Sequence, residues 1–306
     1  MVKRFIEQLG NLGRKYVAKL PAVHTNRASA TGQTFQSFWW GQSLSPYEWL
    51  CLKSFVDLGH GVNLYTFEAG LRVPNGVTVC DAARIVPRND FFVNQDGFAK
   101  GSPSAFSNLF RYKLLAERGG WWIDTDVICL RRHIPVVEQF VARQDAIRVN
   151  TAVMFFQPGH PLMIRCFERS LALGRTTKFA ETGTRLITPL AEELQVPVFS
   201  TSVCYPVHFS EVTDLLRPSC MEALHLRIRD STFLHLWNAV LRHDGVNKYI
   251  RPPTGSLLGL LVERHGVEGW TGEYDEENVP QNDPMFADAL RSAEAARRAK
   301  DLKCAP

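Results

Sequence analysis

The sequence predicts an α/β protein with a mixed, mostly parallel sheet flanked by helices. Strand-like apolar runs alternate with capped helical segments from residue 35 onward, which is the pattern of strand–helix–strand units. A chain of 306 residues, 45% hydrophobic and 22% charged, is long enough to bury a large core and has the composition of a folded soluble protein. Two carboxylates then follow directly on the most apolar strand, in "GGWWIDTDV" (119–127), where open α/β sheets bind ligands at their strand ends.

Residues 1–30 carry Lys3, Arg4, Arg14, Lys15, Lys19 and Arg27 against the single acid Glu7, a net +5, so the rest of a chain of formal charge +4 stands at −1. That near-neutral body gives no electrostatic case for nucleic acid. Phe5, Leu9, Leu12, Tyr16 and Leu20 recur at helical spacing among the basic residues, with Gly10 and Gly13 interrupting them. The segment reads either as an amphipathic helix on an anionic membrane surface or as a frayed extension. It lacks the apolar core of a secretory signal, and no run of 18 apolar residues occurs. Seven cysteines without a C-x-x-C pair read as reduced and structural, which favours a cytoplasmic location.

"HTNRASATGQ" (24–33) reads as a linker, so the expected organisation is an extension and linker over 1–33, one domain over 34–270 and a polar tail with a helix over 271–306. Within the domain, "FQSFWWG" (35–41) is the first buried strand. "SPYEWLCLKSFVDLGHG" is the helix after it, with Ser45 as N-cap, Pro46 as first helical residue, Glu48 completing a capping box and Gly59 or Gly61 ending it. "NLYTFE" (63–68) and "GVTVCDA" (76–82) follow as strands. A second unit comprises the helix "SAFSNLFRYKLLAERGG" and the strand "WWIDTDVICL" (121–130). Beyond it come the strand and turn of "AIRVNTAVMFFQPGHP", helices at "PLMIRCFERSLALG" and "TRLITPLAEEL", and a strand running into a helix at "TFLHLWNAVLRH" (232–243). No internal repeat is present.

In an extended strand alternate side chains share a face, so Asp124 and Asp126 are expected to point together with Thr125 opposite. Like charges placed side by side are relieved by a divalent cation, and carboxylate oxygens suit Mg2+ or Mn2+ bridging to phosphate oxygens. A bare D-x-D also arises by chance or as a loop cap; its context here is the helix with Arg111, two glycines and an aromatic strand. Arg111 lies one helix length before the pair, where it can return to the same rim and grip a sugar hydroxyl or phosphate, or remain a solvated charge. Asn150, in "RVNTAV", is a strand-end candidate for ligand contact or a turn residue. His60, His160 and His208 read as structural or exposed.

"FSNLFRYKLLAERGGWWIDTDV", "FWWGQSLSPYEWLCLKSFVDLGHGVNLYTFE" and "HLWN" (235–238) together resemble glycosyltransferase family 32 and the capsular polysaccharide synthesis group, with α-1,4-galactosyltransferases and the glucosylating domains of clostridial toxins as further relatives. The resemblance spans about residues 35–260. It implies a GT-A type, Rossmann-like fold and a retaining, metal-dependent hexosyltransferase that takes a nucleotide sugar, UDP-linked by preference, as donor. It also implies roles for particular residues. Trp40 and Gly41 meet the nucleotide, Arg111 holds the donor sugar, Asp124 takes ribose or sugar with a metal contact, and Asp126 binds Mn2+ or Mg2+ directly. His235 is a further metal or diphosphate contact, Trp237 and Asn238 line the donor site, and Lys248 neutralises diphosphate or stays a solvated charge.

The chain departs from the family at Ser107-Asn108, where relatives carry Ser-Asp, so Asn108 binds the donor sugar without charge-assisted hydrogen bonds. It departs again at "TGTRLIT" (182–188), where Thr184 replaces a usual proline. The implied acceptor is a glycan or glycolipid, such as a lipopolysaccharide or capsule precursor, met at the inner face of the membrane. The alternatives are a toxin-like effector that glycosylates a protein and a nucleotide-sugar-binding protein impaired in catalysis.

Overall fold

The computed structural model describes residues 29–95, 99–178 and 180–284. The basic amphipathic extension and the Ala- and Arg-rich C-terminal helix expected from the sequence lie outside the described residues. The short strand β1 (Ser29–Ala30) precedes β2 (Thr34–Trp39), whose four central residues are buried. Helix α1 (Pro46–Asp57) follows as expected: the Glu48 carboxylate accepts the Ser45 N–H at 3.0 Å as well as the Ser45 hydroxyl, and Pro46 occupies the first turn. Gly59, at φ +87°, ends the helix, whereas Gly61 already opens β3 (Gly61–Thr66). Strand β4 (Val77–Asp81) completes the first unit.

Helix α2 (Ser104–Arg118) ends at Gly119, and Gly120 starts β5 (Gly120–Ile123). The predicted continuous strand over 121–130 is in fact two, because the chain turns at 124–126 before β6 (Val127–Cys129). After β7 (Ile134–Pro135), a hairpin not anticipated from the sequence pairs β8 (Phe140–Arg143) with β9 (Val149–Phe156). Helices α3 (Pro161–Leu173) and α4 (Thr184–Glu193) fall where the apolar spacing puts them. The single-turn α5 (Thr201–Cys204) and α6 (Met221–Ile228) lead to β10 (Phe233–His235) and α7 (Asn238–His243), the expected strand-into-helix. Strand β11 (Ile250–Arg251), α8 (Leu257–His265) and β12 (Gly272–Glu273) close the described fold.

The six-stranded sheet has the order β4-β3-β2-β5-β9-β8, and only β9 runs against the others. Its two faces are both covered, which is why the central strands β2, β5 and β9 bury residues on both faces, whereas the edge strand β4 is partly exposed. Phe35, Trp121, Ile123 and Val153 pack with α1 and α8, and Phe38, Trp122, Met154 and Phe156 pack with α2, α3 and α4. Adjacent residues Trp121 and Trp122 thus anchor opposite layers, as the pleat requires. β6 pairs antiparallel with β10 outside the main sheet, with His235 opposite Val127. The polar stretch after residue 270 still packs on the domain, since β12 pairs with β11 and Val279 is buried in the core.

The six described cysteines are free thiols, four of them buried. His60 is buried edge-on to Phe35; His160 caps α3 by accepting the Leu162 N–H, and His208 accepts the Ser210 N–H. No described helix is long and apolar enough to cross a membrane.

Candidate active site

Asp124 and Asp126 stand where the chain leaves the main sheet. The Asp124 N–H donates to the Ala152 carbonyl at 2.8 Å, extending the β5–β9 ladder, and the Val127 N–H reaches back to the Asp124 carbonyl at 3.2 Å. A turn, not strand alternation, therefore brings the two carboxylates to one side. Asp and Thr favour such a break because their short polar side chains compete for backbone groups. β9 runs opposite to β5, so its first residues, Asn150 and Thr151, arrive at the same rim as the end of β5.

Arg111 holds this rim together. Its guanidinium meets both Asp124 oxygens, Nη2 to Oδ1 at 2.9 Å and Nη1 to Oδ2 at 3.2 Å. Nη1 also donates to the Thr151 carbonyl and hydroxyl, Nη2 to the Ser107 hydroxyl, and Nε to the Ser107 carbonyl. The group lies 4.9 Å from the Trp122 ring centroid, and Trp122 Nε1 donates to Asp124 at 2.9 Å. Every guanidinium nitrogen has a protein partner. In this arrangement Arg111 positions Asp124 while lining the cleft.

Asp126 is clamped from the other side. Its Oδ2 accepts the Asn238 N–H at 2.9 Å, its carbonyl accepts the Leu236 N–H at 2.8 Å, and its Oδ1 lies 3.2 Å from His235 Nε2. Burial pushes the Asp126 carboxyl upward, but His235, the Asn238 N–H and Lys248 outweigh it and hold the group at about 2. Asp124 is raised, by burial first and by the neighbouring Asp126 charge, against the opposing pull of Arg111. Environment has separated two chemically identical side chains.

Oxygens of Asp124 and Asp126 and a ring nitrogen of His235 all lie within 4.8 Å of one another. His235 Nδ1 is buried and has no hydrogen-bond partner. Two carboxylates and an imidazole fit a divalent cation; the carboxylates suit Mn2+ or Mg2+, and the imidazole favours Mn2+ over Mg2+, which prefers oxygen alone.

These residues face a cleft of ≈ 290 Å³. Of the residues singled out from the sequence, Asn108, Arg111, Asp124, Asp126, Asn150, His235 and Trp237 line it. Trp237 adopts a left-handed conformation (φ +52°), costly for a bulky residue; its ring packs 4.2 Å from His235, and its Nε1 donates to the Val207 carbonyl. Asn108 Nδ2 donates to Thr182 Oγ1 at 3.2 Å.

Four expected residues do not line the cleft. Trp40 is 43% exposed and stacks on Phe91 at 5.1 Å, and Gly41 follows it. Asn238 supplies its N–H to Asp126 and its side-chain amide to Glu48, and Lys248 is ion-paired with Glu48 rather than solvated. Conversely, Gln144, Arg148, Gly183, Thr184 and Phe209 line the cleft without having been singled out as ligand contacts. Arg148 lies within the segment predicted as a strand, two residues before the candidate Asn150. Arg148 is ion-paired with Asp145 at 2.5 Å and lies 5.6 Å from the Phe209 ring.

Residues 63–147 match the family described as "Glycosyltransferase sugar-binding region containing DXD motif", a span that includes Arg111, Asp124 and Asp126. No curated protein sequence matches the chain. Among solved structures, the chain is similar to "PaToxG Glycosyltransferase", with 12% identity over 64% of this chain and 81% of that one (TM-score 0.41). It is similar to the bifunctional glycosyltransferase WbbM in its apo form, with 12% identity over 84% and 52% (TM-score 0.40). The apo glycosyltransferase GlyE of Streptococcus pneumoniae TIGR4 shows 11% identity over 67% and 54% (TM-score 0.37). The chain spans about half the length of WbbM and of GlyE.

Proposed function

We propose that this protein is a metal-dependent glycosyltransferase of GT-A type that moves a hexose from a nucleotide-sugar donor, UDP-linked by preference, to a glycan or glycolipid acceptor. The observation that carries the reading is the convergence of Asp124, Asp126 and His235 on one cleft, the two acids lying inside the matched D-x-D region. The domain that does this extends from residue 34 through 270, with the segment up to Val279 packed against it.

Asp126 and His235 would hold Mn2+ or Mg2+, with Asp124 as the third donor or as the contact to ribose or sugar. The metal, when bound, neutralises the charge that builds on a departing diphosphate. Arg111 keeps the Asp124 carboxylate at a fixed angle, so binding the donor costs little reorganisation of the acid. Trp237 lines the cleft beside His235, an apolar wall for the donor. Trp40, with one face exposed beyond the end of β2, is a platform for the nucleotide base.

Among the described residues, the carboxylates lining the cleft are Asp124 and Asp126, both engaged with the cation site. That favours retention by attack on the face the diphosphate leaves, with the diphosphate taking the acceptor proton, over a route through a covalent sugar–carboxylate intermediate. The basic, amphipathic character of residues 2–20 supports an acceptor at an anionic membrane surface on the cytoplasmic side.

The test is incubation of the purified full chain with UDP- and GDP-sugars and Mn2+, with and without a simple sugar acceptor. Release of the nucleoside diphosphate that stops on chelation is the expected result. No release with any donor, from protein that is folded and metal-loaded, would count against catalysis.

A further inference from the structure

Glu48 is fully buried, and its two oxygens do separate jobs. Oε2 serves the start of α1, accepting the Ser45 N–H at 3.0 Å and the Ser45 hydroxyl. Oε1 faces away from that helix and accepts Asn238 Nδ2 at 2.7 Å together with the Lys248 ammonium. A capping box needs only the first set. The second set joins three distant stretches of chain, the α1 start, the α7 start and the 246–249 loop. Asn238 is the link, since its own N–H holds Asp126 Oδ2 at 2.9 Å.

We propose that Glu48 is a positioning residue for the Asp124–Asp126–His235 cluster, acting through Asn238 to fix the Asp126 carboxylate. The proposal rests on reading that cluster as the metal and donor site. By taking the amide Nδ2, Glu48 fixes the rotation of the Asn238 side chain at the first residue of α7, directly after the left-handed Trp237. With that residue pinned, the Asn238 N–H stays aimed at Oδ2, which leaves Oδ1 turned toward His235. The Lys248 charge is held in the same place by Glu48, close enough to lower the Asp126 carboxyl.

A glutamine at position 48 cannot do both jobs. It offers one acceptor oxygen and one donor NH2, and both sets of partners are donors, so one set meets another N–H. Removing only the helix-capping hydroxyl, by contrast, leaves Oε1 and its partners intact.

The experiment compares wild type, Glu48→Gln and Ser45→Ala in the full chain, reading amide hydrogen exchange without metal and Mn2+ affinity by calorimetry below the unfolding range of all three. Glu48→Gln is expected to speed exchange of the Asn238 amide at least tenfold while β5 amides keep their protection, and to weaken Mn2+ about tenfold. Ser45→Ala is expected to lower the melting temperature and leave both readouts unchanged. Asn238 exchange and Mn2+ affinity at wild-type levels in Glu48→Gln, or equal losses in the two variants, would overturn the proposal. If Glu48→Gln does not fold, Asn238→Ala replaces it: its own amide must exchange faster with β5 still protected, and an unchanged rate overturns the proposal. A wild type that binds no Mn2+ would defeat the metal reading alone, because the exchange experiment still decides the positioning role.

Discussion

His235 Nε2 lies 3.2 Å from Asp126 Oδ1, and the contact exists because β6 and β10 pair outside the main sheet with His235 opposite Val127. The D-x-D turn ends the central strand and feeds directly into that ribbon, so the same few residues end one sheet and begin another. The cluster is therefore a consequence of topology. Whatever stabilises the ribbon also sets the spacing between acid and imidazole.

Arg111→Lys tests how far Asp124 depends on its partner. Lysine can supply one of the contacts made by the planar guanidinium but not the set to Ser107, Thr151 and both Asp124 oxygens. Arg111 is 4% exposed, so the broken network is expected to cost about 3 kcal/mol, read as a lower urea midpoint at unchanged slope. A change under about 0.5 kcal/mol would mean the buried network does not hold the rim.

Gly119→Ala is expected to be severe. The residue sits at φ +65°, and a Cβ there would lie 2.6 Å from Pro158 Cδ and 2.8 Å from the Phe156 carbonyl oxygen, neither of which can rotate away. Positive φ and a rigid clash together predict a loss of about 2–4 kcal/mol or failure to fold. Circular dichroism melts of the variant check this directly.

Those two positions also mark what was legible in the sequence. Helix α2, its glycine stop and the aromatic strand could be placed because apolar spacing and capping residues are local signals. The two acids stood out as charges directly after an apolar strand, and His235 came from the family resemblance alone. The sequence could not show that the strand breaks at Asp124, because apolar residues continue through Val127–Cys129 and only the distant partner β10 makes them a second ribbon. It offered Arg111 a place at the same rim but not its partners: the guanidinium bonds Thr151, which lies at the start of β9. Lys248 and Asn238 read as donor contacts, and both are engaged by Glu48, a residue whose local signal announced only a helix cap.

Stability is expected to fall on acidification. His265, His60 and His160 are each lowered, by burial above all. The unfolded chain therefore binds their protons more readily, and stability rises with pH from their lowered folded values up to the ordinary histidine value of about 6.5. Asp57, paired with His265 and Lys53 and held below its usual range, adds a loss of the same sign at lower pH. Melting temperatures between pH 5.5 and 7.5 should climb and then level; a flat profile would contradict neutral buried imidazoles.

Asn108→Asp tests the departure from the family pattern. Asn108 lines the cleft and bonds Thr182 through Nδ2. A carboxylate there accepts charge-assisted hydrogen bonds from sugar hydroxyls, about 1 kcal/mol better than the amide, which predicts roughly fivefold tighter donor binding. Donor KM with nucleotide held constant measures it, and an unchanged or higher KM would place the sugar elsewhere.

The central claim, that Asp126 and its neighbours hold a cation through which a nucleotide binds, is tested most directly by calorimetric titration of UDP and GDP into wild type and Asp126→Asn, each with Mn2+ and with chelator. The account predicts binding of one nucleotide by wild type only when Mn2+ is present, and its loss in Asp126→Asn with the fold intact. Equal binding with and without metal, or full binding by the variant, would contradict it.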